Sequence, residues 1–146
     1  MSARDHHHLE RFVAAQEPIF DAAMAELKAG RKRTHWMWFV FPQMRGLGSS
    51  PTSQFYGIAS LDEARAFLSH PVLGPRLTLC TEAVLDHRER SLREIFGSPD
   101  DVKFVSSMTL FALAEPDKAS PFRLALEHWS EGLMDPRTLA LVGEPP

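Results

Sequence analysis

Helix-start signals recur through this chain at short intervals, and they constrain the fold more than any other feature. Ser50-Pro51, Ser60-Leu61-Asp62-Glu63, Ser91-Leu92-Arg93-Glu94, Ser98-Pro99-Asp100-Asp101, Ser120-Pro121 and Asp135-Pro136 each set a side-chain acceptor ahead of a proline or an acid. Serine or aspartate at the cap takes up a free backbone N–H, proline suits the first helical position, and acids favour the positive end of the helix dipole. The two Ser-x-x-Glu runs have the form of a capping box. A chain restarted this often builds many short helices rather than a few long ones.

Apolar residues between the starts keep helical spacing. Leu9, Phe12, Val13 and Gln16 share one face, and Glu17-Pro18 restarts the chain for Phe20, Ala23, Met24 and Leu27, with Gly30 as the stop. Leu61, Ala64, Phe67 and Leu68 form another face. Leu73, Leu77, Cys80 and Val84 form the next, which makes Cys80 a packed core thiol rather than a nucleophile. From Asp100 to about Ala114 the apolar residues run nearly all round (Val102, Phe104, Val105, Met108, Leu110, Phe111, Leu113), the mark of a central helix. Phe122, Ala125, Leu126 and Trp129 follow, stopped at Gly132, and a last short helix carries Leu139 and Val142. The expected fold is mainly α: a single compact multi-helical domain, 1–146, of seven to eight short helices, with residues 1–4 disordered.

With 146 residues and 44% hydrophobic content the chain can bury a substantial core. A net charge of −3 disfavours a surface shaped broadly for nucleic acid, so any phosphate site must be local. One cysteine rules out an internal disulfide and paired-thiolate zinc. The longest apolar run, Trp36 to Phe41, is far short of a membrane span, and the His-rich start lacks a signal peptide's apolar core, so the expected location is cytoplasmic, with no membrane partner. His6, His7 and His8 splay by about 100° each on a helix and cannot chelate together. No Gly-x-Ser-x-Gly elbow or His-Glu-x-x-His motif is present, and Gly46-x-Gly48 lacks the context of a phosphate loop. No metal and no cofactor are expected.

The segment Thr34-His35-Trp36-Met37-Trp38-Phe39-Val40-Phe41-Pro42-Gln43 departs from the helical pattern. Its β-branched and aromatic content suits extended chain, ended by Pro42, with room for a minor two-stranded element at 36–41. Arg31, Lys32 and Arg33 precede it and Arg45 follows. Trp36 or Trp38 can stack on a ring, Arg31, Arg33 and their basic neighbours can meet phosphates, and His35 and Gln43 can supply directional hydrogen bonds. The bland alternative makes the aromatics core anchors and the basic run a solvated face.

On the central helix Asp100, Lys103, Ser106, Ser107 and Leu110 fall along one side by steps of three and four. Polar groups on a buried helix need partners, water or a ligand. Lys103 can serve as a covalent or electrostatic group with Asp100 as its partner and Ser106 or Ser107 as hydrogen-bond donors; the alternative is an ion pair with Asp100 one turn earlier.

The sequence resembles the family called domain of unknown function 1810, whose members are sometimes mislabelled as calpastatin. The matching stretches are Arg11-Phe12-Val13-x-x-Gln16, Gly30 through Gln43, Gly46-Leu47-Gly48, Ser60-Leu61-Asp62-Glu63-Ala64-Arg65-Ala66, His70 through Leu77, Glu94-Ile95-Phe96-Gly97, Lys103-x-x-Ser106-Ser107-Met108-Thr109-Leu110-Phe111 and Thr138-Leu139. Gly57 departs from the family's more frequent alanine. The resemblance implies a small, mostly helical bacterial domain without an established activity. A partial similarity to the NADAR proteins, which act on N-glycosidic bonds of ADP-ribose-linked molecules and carry a functional lysine, maps that lysine onto Lys103 by analogy; their Trp-Gly-x-Gly signature has no match here. Two expectations follow. One is a small-molecule pocket for a nucleotide or ADP-ribose-like ligand, with N-glycosidic hydrolysis as its chemistry. The other is a non-catalytic protein-interaction module that uses residues 31–43, with Trp36 or Trp38 exposed on a convex face.

Overall fold

The computed structural model describes residues 5–143; the expected disorder of residues 1–4 lies outside them. Ten helices form among the described residues: α1 (Glu10–Gln16), α2 (Phe20–Lys28), α3 (Met37–Val40), α4 (Pro51–Phe55), α5 (Leu61–Ser69), α6 (Leu73–Leu85), α7 (Leu92–Phe96), α8 (Asp100–Ala114), α9 (Pro121–Ser130) and α10 (Pro136–Val142). The mainly α architecture is as the sequence implies, with more and shorter pieces than seven or eight. Most start signals act as read. Ser50, Ser60, Ser91, Ser120 and Asp135 each accept a backbone N–H three residues on. At Ser91 the full capping box closes.

Two of those signals act differently. Glu63 does not turn back to the Ser60 N–H; its carboxylate accepts from Ala59 N and from Arg11. Ser98 caps nothing: α8 begins at Asp100, and its first N–H groups, on Asp101, Val102 and Lys103, reach the carbonyls of Gly97 and Pro99. Asp100, in the first turn of α8, directs its carboxylate to Lys32 and Lys103.

Helix α8 occupies the centre and packs against α5, α7, α9 and α10, while α6 packs on α2, α5 and α9. Aromatic rings tie these layers together. Phe12 meets Phe67 edge-on at 5.1 Å between centroids, Phe67 meets Phe111, and Phe111 meets Phe122. A second group joins Phe41, Phe96 and Phe104. Such contacts add about 0.5–1.5 kcal/mol each beyond the area they bury. Cys80 is fully buried in α6, and burial pushes its thiol up to about 12, which leaves it inert as a nucleophile.

The segment expected as extended is a correction. Residues 37–40 form one helical turn, closed by Val40 N to Trp36 O at 3.1 Å and Phe41 N to Met37 O at 3.2 Å. No strand forms among the described residues; Met44 and Ile58 make an isolated parallel bridge. The physical reason is pattern. Trp36, Met37, Val40 and Phe41 are buried while Trp38 and Phe39 are half-buried, a helical period that alternation would contradict. With no neighbouring strand to pair with, a turn satisfies the backbone locally.

Candidate functional site

Around Asp100 the structure gathers charges from two distant segments. The Lys103 ammonium donates to Asp100 Oδ1 at 3.1 Å, as the i,i+3 spacing allows, and the Lys32 ammonium lies 3.0 Å from Oδ2. Lys32 reaches this position because its backbone N–H donates to Ile95 O at 2.7 Å, which fixes the 31–33 strap against the end of α7. Burial works to raise the Asp100 carboxyl, but hydrogen bonds and charge from the two lysines outweigh it and hold the group below its ordinary range. Each ammonium also faces an indole: Lys103 sits 4.0 Å from the Trp38 ring centroid and Lys32 5.1 Å from that of Trp36.

Beside this cluster lies a cleft of ≈ 180 Å³, lined by Trp38, Gln43, Leu47, Gly48, Pro99, Val102, Lys103 and Arg137. Its walls come from the 38–48 segment, the first turns of α8 and the start of α10. Gln43 is held firmly at the backbone, where its carbonyl accepts from Ile58 N at 2.9 Å while Arg45 N donates to Ile58 O at 2.8 Å. Gly48 fits close against the Ser53 side chain and the Trp38 ring; a Cβ there would meet Ser53 at 2.8 Å. Arg137 stands at the rim, its Nε 3.8 Å from Asp135 Oδ1.

The other residues singled out from sequence divide in two. Trp38, Gln43 and Lys103 line one cleft and Asp100 braces it; Trp36, Arg31, Arg33, His35, Ser106 and Ser107 do not line it. Trp36 is 1% exposed, and its indole N–H donates to Glu26 Oε1 at 3.0 Å. That carboxylate also accepts from the backbone of Arg33 and Thr34 and from the Thr34 hydroxyl, so Glu26 clasps the whole turn. Burial would raise Glu26, yet these hydrogen bonds bring it down to about 2. Arg31, Arg33 and His35 are exposed on the strap. Ser106 donates to Asp135 Oδ2 at 3.1 Å and helps seat α10 on α8. The Ser107 hydroxyl is sealed inside without a partner among the described residues.

Sequence reasoning missed Glu26, Val102 and Arg137, and set Lys32 among the bases able to meet phosphate rather than beside Asp100. None of these carries a local signature; Lys32 owes its role to Asp100, far along the chain, and Val102 and Arg137 owe theirs to the cleft that the fold assembles. It also missed Arg11, which is buried and spends its guanidinium on Phe55 O, His7 O, His8 O, Gly57 O and Glu63 Oε2. An open cleft of ≈ 370 Å³ lies over it. With every N–H of the fork occupied, Arg11 is a structural staple rather than a ligand group. No group of three or more His, Cys, Asp or Glu side chains suited to a metal occurs among the described residues, and none of their helices is long and apolar enough to cross a membrane.

Fold and cleft together define a small all-helical domain with a cationic, aromatic-walled recess beside its inner helix. The chain belongs to the family described as "Protein of unknown function (DUF1810)", whose model matches residues 6–142. It is similar to a solved structure, the conserved hypothetical protein Rv1873 from Mycobacterium tuberculosis, at 54% identity and a TM-score of 0.92, covering 97% of this chain and 100% of that one. No curated protein matches.

Proposed function

We propose that the protein binds a small nucleotide-type ligand, a planar ring carrying phosphate, in the cleft between the 38–48 segment and the start of α8. The observation that carries this reading is the surplus of cation beside an aromatic wall: Lys32, Lys103 and Arg137 face the carboxylates of Asp100 and Asp135, three charges against two. Field lines from such a surplus concentrate in a recess with apolar walls, here Trp38, Leu47, Pro99 and Val102. The volume is below the roughly 300–1,000 Å³ of pockets that enclose a drug-sized ligand. The cleft therefore takes one end of a nucleotide or of ADP-ribose, and the remainder lies along the rim at Arg137.

Cleavage of an N-glycosidic bond is the less supported part of this reading. The Lys103 nitrogen is engaged as an ion-pair donor, a binding geometry rather than a nucleophile's. Asp100 is tied by two ammoniums and makes a poor general base. The cleft lining contains neither a carboxylate nor an imidazole. The adaptor reading needs an indole on a convex face, whereas Trp36 is buried and Trp38 stands in the cleft. Calorimetric titration with AMP and ADP-ribose tests the proposal. Binding at up to millimolar ligand, weakened about tenfold or more by Lys103→Ala and by Arg137→Ala, is the expected result for lost charge-assisted hydrogen bonds. Absence of binding to the wild type would remove the reading.

A further inference from the structure

The proposed ligand site contains a group whose chemistry narrows what fits. Gln43 is 8% exposed, yet its side-chain amide makes no hydrogen bond among the described residues, although buried polar groups nearly always have a partner. The amide is not sealed in the interior either, because the Ser107 hydroxyl is the one such side-chain atom found there among the described residues. What little solvent Gln43 touches is thus the cleft that it lines. The Trp38 indole N–H, on the same wall, is likewise without a partner among the described residues, whereas those of Trp36 and Trp129 are both taken up within the protein.

A glutamine amide offers one acceptor and one pair of donors side by side. Its backbone is pinned through Ile58, so the amide is presented from a fixed point at modest entropic cost. Water can satisfy such a group only until a ligand displaces it, and a ligand that cannot replace those bonds loses affinity.

Resting on the nucleotide reading above, we propose that Gln43 is the specificity-determining residue of the cleft and selects a ring with a hydrogen-bond donor next to an acceptor. Adenine, through its amino group and ring nitrogen, and a nicotinamide-type ring, through its carboxamide, both carry that pattern. Glutamine pairs with adenine in this two-bond manner in nucleic-acid recognition. Lys103 and Arg137 hold the phosphate, and Gln43 reads the ring.

The test compares matched ligands in the wild type and in Gln43→Met, with Gln43→Leu as a second variant that likewise can neither donate nor accept. One pair is AMP and purine riboside 5′-monophosphate, which differ only in the amino group. The other is nicotinamide mononucleotide and nicotinic acid mononucleotide. The wild type is expected to prefer the donor–acceptor member of one pair by about tenfold, because the analogue leaves the buried amide unpaired. The pair that shows the preference identifies the ring. In both variants the ratio falls to near one while thermal stability stays close to wild type. An unchanged ratio in the variants, or no preference in the wild type, overturns the role of Gln43 and leaves the nucleotide reading standing. Failure of all four ligands to bind overturns both.

Discussion

Replacing Asp100 with asparagine removes the charge that two ammoniums share while leaving the side chain's shape. In the native protein Oδ1 lies 3.1 Å from Lys103 Nζ and Oδ2 3.0 Å from Lys32 Nζ, with side-chain exposures of 18% for Asp100, 21% for Lys103 and 8% for Lys32. Losing one partner of a fully buried pair costs roughly 3–5 kcal/mol. The site is partly open, and the amide oxygen retains one of the two hydrogen bonds, so a loss of about 2–3 kcal/mol is expected. The two lysines are then left facing one another without a counter-charge. Urea denaturation at pH 7 measures the loss as a lower midpoint at constant slope. In ~1 M salt, where the screening length falls to about 3 Å, part of the loss returns. Adding Lys32→Met to Asp100→Asn costs less than the sum of the single changes, since one of the repelling charges is gone. A single-variant loss below about 0.5 kcal/mol, or strict additivity in the double variant, would refute the shared-carboxylate description.

Three further outcomes follow from the same geometry. Arg11→Met strands the Glu63 carboxylate and four backbone carbonyls and is expected to cost about 3–5 kcal/mol, a fall in melting temperature of roughly 10 °C or more; Glu63→Leu in the same chain recovers part of it. Glu26 is depressed from 4.5 to about 2 in the folded chain, so its contribution is fully present above about pH 5 and is lost as pH falls through the range between those two values. After discounting for its partial exposure this amounts to about 1–2 kcal/mol, visible in wild-type denaturation across that range and absent from Glu26→Gln. Gly74→Ala would set a Cβ 2.1 Å from Leu68 O, a backbone clash at the α5–α6 corner, and is expected to destabilise the protein by at least about 2 kcal/mol in the same assay.

Much of the fold was legible because the information is local. Ser50, Ser60, Ser91, Ser120 and Asp135 act through bonds to residues three positions on, and the all-round apolar pattern of 102–113 does place α8 at the centre. Residues 36–41 misled because their composition favours a strand while their burial follows a helical turn, and composition carries no account of whether a pairing strand is available. The site was half legible. Lys103 with Asp100 is a spacing, and spacing can be read from a sequence. The Lys32 contact with Asp100, the clasp of Glu26 on Trp36 and the arrival of Arg137 at the rim are tertiary facts without local markers. Two indoles two positions apart meet opposite fates for that reason: one is fastened inside by Glu26 and the other is left beside the cleft.

The most direct measurement is a nitrogen–proton correlation spectrum recorded during titration with AMP. Trp38 and Gln43 each carry a side-chain N–H that the protein leaves unpaired among the described residues. Their two signals are expected to move together and saturate with one dissociation constant, while the indole signals of Trp36 and Trp129, already bonded to Glu26 and to Arg90 O, stay in place. Movement confined to the exposed strap of Arg31, Arg33 and His35, with the Trp38 and Gln43 signals unchanged, would contradict the account.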